Sequence, residues 1–436
     1  MRARRMIRVG LVSLGCAKNL VDSEMILAMF PRDRFALVSD PSHADLIIVN
    51  TCGFIESAKK ESIDMIFEML SYGAKVVIVG CLAERYLDDL KAEIPEAGAI
   101  VPIRDYSELP AVLSSLTGVE GILPMNPLRR VVSTKPYTAY LRISEGCNNF
   151  CAFCAIPLIR GRFKSRPYEE ILEEARSLFA SGVKEISLIS QDTTIYGIDF
   201  PGRKPNICDL LRDLEAIGFY SIRLLYLYPS EISDELIDLI ASSKVIAHYF
   251  DVPVQTASDH LLKAMRRHAG AKETIDLFAR IKEKCPDAIL RTTLIAGFPG
   301  ETEEDQKEAL DLLKTVEFDH MGCFVYSREE GTASYDYPDQ VKEEVAKKRR
   351  DALMKAQAKI SYRKAKSQVG KVFEGLVTGF DKEKGKYMLR CVWNAPDDID
   401  GNVYFSSPRC LKEGDVVSVR IVDALVYDLL GELVID

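Results

Sequence analysis

Three stretches near the start of the chain, residues 9–14, 45–50 and 75–79, are short, rich in β-branched residues and almost continuously apolar. That is the pattern of strands buried on both faces. Helix-like stretches follow each of them, over 22–30, 57–70 and 83–94. The βαβ alternation predicts parallel strands in a doubly wound α/β domain. A second alternation starts with a strand-like run at 140–144. It continues through 185–190, 222–226, 248–252, 289–295 and 321–326, with helical patterns at 168–181, 209–217, 233–241, 271–284 and 301–315 between them. These too should form a parallel sheet. Residues 341–367 read as one long, densely charged helix. Beyond it, five short strand patterns (372–378, 386–392, 402–405, 415–422 and 432–435) predict a small closed β-barrel.

At 436 residues the chain has room for about three domains. The segment 124–136, with three prolines and two arginines, reads as the connector after the first. The expected division is 6–123, a linker over 124–136, 137–367 and 368–436. The net charge of −8 argues against a protein that coats nucleic acid. No apolar run approaches the length of a membrane helix, and residues 1–10 are basic without the apolar stretch of a signal peptide. A cytoplasmic protein with no membrane partner is expected.

Eleven cysteines, an odd number without an export signal, point away from a disulfide framework and toward metal or catalysis. Cys147, Cys151 and Cys154 lie within eight residues, at the end of the 140–144 strand. No second cysteine pair and no nearby histidine completes a zinc site. Three thiolates suit a 4Fe–4S cluster with one iron left open to a small molecule. Cys16, Cys52 and Cys81 are far apart in sequence, yet each directly follows one of the three N-terminal apolar runs. Parallel strands bring their C-terminal ends to one edge, so these thiols are expected to converge on a second site. Cys208, Cys285, Cys323, Cys391 and Cys410 lack partner spacing and read as packing, and the five histidines mark no triad.

The spacing Cys-x3-Cys-x2-Cys with Phe153 before the last cysteine resembles the radical S-adenosylmethionine (SAM) superfamily, and the six strand–helix units resemble its partial (βα)6 barrel. The two cysteine trios and a C-terminal TRAM-like barrel resemble the methylthiotransferases. Ser13-Leu-Gly-Cys16-Ala-Lys-Asn-Leu-Val-Asp22-Ser-Glu24, Asn50-Thr-Cys52-Gly-Phe-Ile55, Ile143-Ser-Glu-Gly-Cys147, Ile189-Ser-Gln-Asp192 and Ala264-Met-Arg-Arg267 resemble the family acting on small-ribosomal-subunit protein twelve. Ala17 and Gln255-Thr256 depart from that family's usual Pro and Gln-His.

The resemblance implies methylthio insertion at the β-carbon of an aspartate in that ribosomal protein. It implies two 4Fe–4S clusters, SAM as radical source and methyl donor, and a low-potential electron donor such as flavodoxin or ferredoxin. It also implies SAM contacts at Ser190, Gln191 and Asp192 and in the turn Gly297, Gly300 and Glu301. Without it, the first segment reads equally as helix capping, and the second as a strand-to-helix turn with Glu301-Thr302 starting the helix. A tRNA methylthiotransferase and a non-catalytic iron–sulfur carrier are the alternatives. The 341–367 helix carries ten Lys/Arg against three Asp/Glu, either a solvated face or a contact with an RNA-rich partner such as ribosomal RNA. From Val369 on, eight Lys/Arg face 12 Asp/Glu, which suits a basic protein surface better than a phosphate backbone. Trp393, Tyr387 and Tyr404 read as barrel core or as a binding patch.

Overall fold

A computed structural model describes residues 6–435; residues 1–5 of the basic N-terminal stretch, and residue 436, lie outside the described residues. The first domain runs β1 (Ile7–Ser13), α1 (Ala17–Leu27), β2 (Phe35–Leu37), β3 (Leu46–Thr51), α2 (Glu56–Ser71), β4 (Lys75–Gly80), α3 (Cys81–Arg85), α4 (Leu87–Glu93), β5 (Ala99–Pro102) and α5 (Leu109–Thr117). Its strands are all parallel, in the order β2-β1-β3-β4-β5. The chain goes outward from β1 to β2, then returns to β3 on the other side. The gap between β1 and β3 is therefore the switch point where doubly wound sheets hold ligands. All six residues of β3 are buried, as its unbroken apolar run requires. The stretch read as one helix over 83–94 is two, because the backbone at Tyr86 (φ −128°, ψ 39°) is not helical.

The connector lies along α1 and is tied down. Val131 N donates to Glu24 O at 3.0 Å, and the buried Arg130 pairs with Glu24 (3.3 Å) and Glu174 (2.8 Å).

The second domain begins with β6 (Thr138–Arg142), β7 (Ser144–Glu145), α6 (Ile156–Arg160), β8 (Lys164–Ser165), α7 (Tyr168–Ala180) and β9 (Glu185–Ile189). It continues with α8 (Ile207–Ile217), β10 (Ser221–Leu224), α9 (Asp234–Ser242), β11 (Tyr249–Asp251), α10 (Asp259–Ala264) and α11 (Ala271–Lys284). The last elements are β12 (Ile289–Ala296), α12 (Glu303–Val316), β13 (His320–Val325) and the long α13 (Glu343–Lys366). β6-β9-β10 and β11-β12-β13 are parallel and meet through the parallel bridge Ile222–Ile246. The result is an open six-stranded barrel.

The third domain closes β14 (Val372–Asp381), β15 (Lys386–Arg390), β16 (Val403–Ser406), β17 (Val416–Ala424) and β18 (Leu429–Leu433) into a barrel of order β14-β15-β16-β18-β17.

The open barrel is filled from both ends by the other domains. Ala17, Val21 and Met25 of α1 join one apolar cluster with Tyr140, Ile189, Leu225 and Tyr249 of the strands. Trp393, in the loop after β15, enters from the opposite end and is 1% exposed. Its ring meets that of His320 edge-on at 4.8 Å, and its carbonyl lies 2.7 Å from His320 Nε2. Trp393 and Tyr404 are thus core, and no aromatic patch forms from them.

The acidity of the third domain also has an internal use. Glu374, Asp397, Asp400 and Glu413 meet Tyr220, Tyr140, Tyr249 with Arg291, and Lys135, and Asp423 pairs with Lys366. These acidic residues thus clamp the third domain to the second and to the connector. No described helix is long and apolar enough to cross a membrane.

Candidate functional site

β3 and β4 are in register at Thr51 and Gly80, so Cys52 and Cys81 leave the sheet side by side. Only glycine fits at position 80: φ is +94°, and a Cβ there would collide with Asn50 and Thr51. On the other side of β3, Leu14 N donates to Asn50 O, and a Cβ on Gly15 would come within 2.9 Å of Cys52 Cβ. Cys16 follows as the residue before α1. The structure therefore brings Cys16, Cys52 and Cys81 to one edge. Burial, and then the neighbouring thiols Cys81 and Cys16, push Cys52 up to about 11. Burial also raises Cys81, against the pull of Arg160. Asn19 braces the edge by donating to Leu14 O (3.0 Å) and Thr51 O (2.9 Å) and accepting from the Cys81 thiol at 3.4 Å. The Tyr106 hydroxyl is buried nearby, facing the backbone of Gly80.

Cys147, Cys151 and Cys154 sit on the loop between β7 and α6. Burial first, and then each other's charge, push Cys147 up to about 11 and Cys154 to about 12. Donors face the sulfurs: Asn149 N lies 3.5 Å from Cys147 Sγ, and Arg267 Nη1 lies 3.6 Å from Cys151 Sγ. Arg267 also stacks on Tyr228, 4.0 Å from its ring centroid. Thiols raised this far ionise when a metal takes the place of the proton. Both trios fit an iron–sulfur cluster: thiol-only ligand sets, no carboxylate interposed, and cationic or N–H donors aimed at sulfur.

The expected SAM residues differ in how free they are. Ser190 Oγ bonds Ser144 Oγ and lies 3.2 Å from Asp192 N. Asp192, whose pKa burial pushes up, accepts from Asn149 (2.8 Å) and Thr194. Both thus hold the cysteine loop in place. They cap no helix, since the next one begins at Ile207. Gln191 Nε2 donates to Glu145 at 3.0 Å, but its Oε1 is buried without a partner among the described residues, as is Oε1 of Gln255 past β11. These orphaned acceptors suit a polar ligand in the barrel mouth.

In the other turn, Gly297 (φ +84°) backs onto α13, where a Cβ would collide with Ala346. Its freedom thus serves close packing of that helix. Glu301 accepts from Gly297 N and pairs with Arg349 at 3.2 Å, and Gly300 N donates to Asp339 O. The helix there begins after Thr302, whose side chain caps it, and not at Glu301.

Sequence reasoning missed what joins the two sites. α6 starts two residues after Cys154 and ends at Arg160. That buried guanidinium pairs with Asp22 (2.7 Å), donates to Asn19 and reaches Cys81 Sγ at 3.7 Å. Arg142 pairs with the other oxygen of Asp22 at 2.5 Å. Lys18 extends from α1 to donate to Ser190 O at 3.1 Å and lies over the Tyr226 ring at 3.7 Å. Lys18, Asn19 and Asp22 stand inside the 13–24 motif, whereas Arg142 and Arg160 carry no sequence signal beyond nearness to Cys147, Cys151 and Cys154. His248, Cys285 and Asp287 also cluster, with His248 Nδ1 2.9 Å from Asp287 and the Cys285 thiol 3.5 Å from it. They lie at the N-terminal ends of β11 and β12, away from both trios.

The radical SAM superfamily profile matches residues 141–313, the uncharacterized protein family UPF0004 matches 8–102, and the TRAM domain matches 369–434. The fold is similar to that of the radical SAM methyltransferase TsrM from Kitasatospora setae, at a TM-score of 0.53 and 15% identity over 74% of this chain and 75% of that one. Three curated relatives are each named ribosomal protein uS12 methylthiotransferase RimO. The one from Acetivibrio thermocellus is 43% identical over 98% of both chains, and the one from Geobacter sulfurreducens 42% over 98% of both. That of Aquifex aeolicus is 44% identical over 98% of this chain and 97% of its own. With such identity along almost its entire length, the protein belongs to the ribosomal protein uS12 methylthiotransferase family of radical SAM enzymes.

Proposed function

We propose that this protein inserts a methylthio group at the β-carbon of an aspartate in ribosomal protein uS12, using two 4Fe–4S clusters and SAM. The observation that carries the reading is that the helix following Cys154 ends in Arg160, whose guanidinium crosses the domain interface to Cys81 of the other all-thiol trio. When bound, the clusters and SAM supply a carbon-centred radical, sulfur and a methyl group, chemistry that side chains alone lack.

The residues supply position and exclusion. Cys147, Cys151 and Cys154 hold one cluster, with Arg267 and Asn149 N–H stabilising thiolate charge. Cys16, Cys52 and Cys81 hold the other, with Arg160 in the same role. Gln191 and Gln255 offer their free acceptors to SAM, while Ser190 and Asp192 keep the cysteine loop in place. The backbone at Gly297, Gly300 and Glu301 borders that site. α1 covers the barrel mouth and keeps water from it. A low-potential donor such as flavodoxin or ferredoxin provides electrons, and the third domain, of a TRAM type, adds contact with ribosomal RNA.

The test incubates anaerobically reconstituted enzyme, SAM and reductant with uS12 or with tRNA. A methylthio mass gain on uS12 alone is expected; a gain on tRNA alone overturns the reading. Iron and sulfide counting on Cys147/Cys151/Cys154→Ala and on Cys16/Cys52/Cys81→Ala should each leave half the wild-type iron. Loss of all iron from the first variant would mean that the N-terminal trio binds nothing.

A further inference from the structure

Lys18 is 7% exposed, and among the described residues no carboxylate lies within salt-bridge distance of its ammonium. That is unusual, since a buried charge is ordinarily paired. An ammonium has three N–H donors. Here one goes to Ser190 O, and the Tyr226 face takes part of the charge. The nearby carboxylates belong to other cations. Asp22 is held by Arg142 and Arg160, Glu145 by Arg142, and Asp251 by Arg291 at 2.9 Å.

The position is as informative as the missing partner. Lys18 stands two residues after Cys16 and touches the C-terminal end of β9, one residue before Gln191 with its orphaned acceptor. It therefore sets a cation where the segment of Cys16 meets the strand end whose Ser190 is bonded to Ser144, just ahead of the Cys147 loop, and a reacting carbon held between the two trios would lie near it.

We propose that Lys18 receives the side-chain carboxylate of the aspartate that is modified, and so selects aspartate over its neutral amide. The proposal rests on the uS12 reading above. With the carboxylate fixed on Lys18, the adjacent β-carbon has one allowed place between the trios, which is how binding geometry becomes reaction specificity. A neutral side chain would bring the buried ammonium no counter-charge, so the aspartate alone gains the pairing.

The test measures binding of uS12 carrying Asp or Asn at the modified position to wild-type, Lys18→Met and Lys18→Gln holoenzyme. Iron content and melting temperature check that each variant is intact. Wild type should bind the Asp form about 30-fold or more tighter than the Asn form, the ratio expected when a buried charge pair loses one member. Both variants should bring that ratio close to one while keeping their iron. A wild-type enzyme that modifies the Asp form yet binds both forms alike overturns the Lys18 assignment alone. So does an intact variant that keeps the preference. A wild-type enzyme that modifies no uS12 overturns the function reading, and the assignment with it.

Discussion

Arg160 shows how much one side chain can organise. It leaves the segment that carries Cys154, crosses the domain boundary, and ends among Asp22, Asn19 and Cys81. Removing one member of a buried pair costs about 3–5 kcal/mol, because the other is left charged and dry. Arg160→Met should therefore lower the denaturant midpoint by that order. It should also raise the Cys81 thiol pKa further in the metal-free protein, seen as slower alkylation at fixed pH. Unchanged stability would mean that Asp22 finds a substitute in Arg142 alone. The cysteines themselves were legible in the sequence, since three short strands each ending on one announce a common edge. The pairings of Arg160 and Lys18 were not, because their partners lie 79 to 208 residues away and no local pattern encodes such pairings.

At the scale of elements, the loop after β15 behaves as a piece of the second domain's core. Trp393 is enclosed by strands that belong to another unit. Truncating a buried tryptophan costs about 3–5 kcal/mol. Trp393→Ala should lower the unfolding midpoint accordingly and loosen the third domain, measured by protease cleavage near residues 367–371. A loss of stability without such cleavage would place the tryptophan's role inside the third domain only. Sequence periodicity found most of the long helices and strands to within a few residues, but it began α1 five residues late and passed over β5 and α5. It failed at Tyr86, where the apolar period continues through a real break. There the ring is flanked by Lys59 and Arg85, which lie 5.3 Å and 5.0 Å from its centroid. Periodicity reports which face is buried and is blind to a stack that turns the backbone.

For the whole molecule, two ionic clamps fasten the first domain to the second. Asp22 meets Arg142 and Arg160. Glu329 meets Arg85 at 2.9 Å and Lys59 at 3.3 Å. Burial disfavours ionising either acid, yet the cations and hydrogen bonds outweigh it and hold both below the ordinary carboxylate range. Depressed carboxylates stabilise the docked state above their unfolded pKa, about 4, and that stability is lost as pH falls through the folded value. The unfolding midpoint should thus be flat near neutrality and fall below about pH 4. Glu329→Gln should lower it at pH 7 and flatten the acid slope. An identical slope in the variant would remove Glu329 from the account.

Arg160 also limits how a target can arrive. Prying the domains apart to admit a bulky guest would strip the guanidinium from Cys81 and part Asp22 from both of its cations. A slender loop reaching in from outside asks for neither.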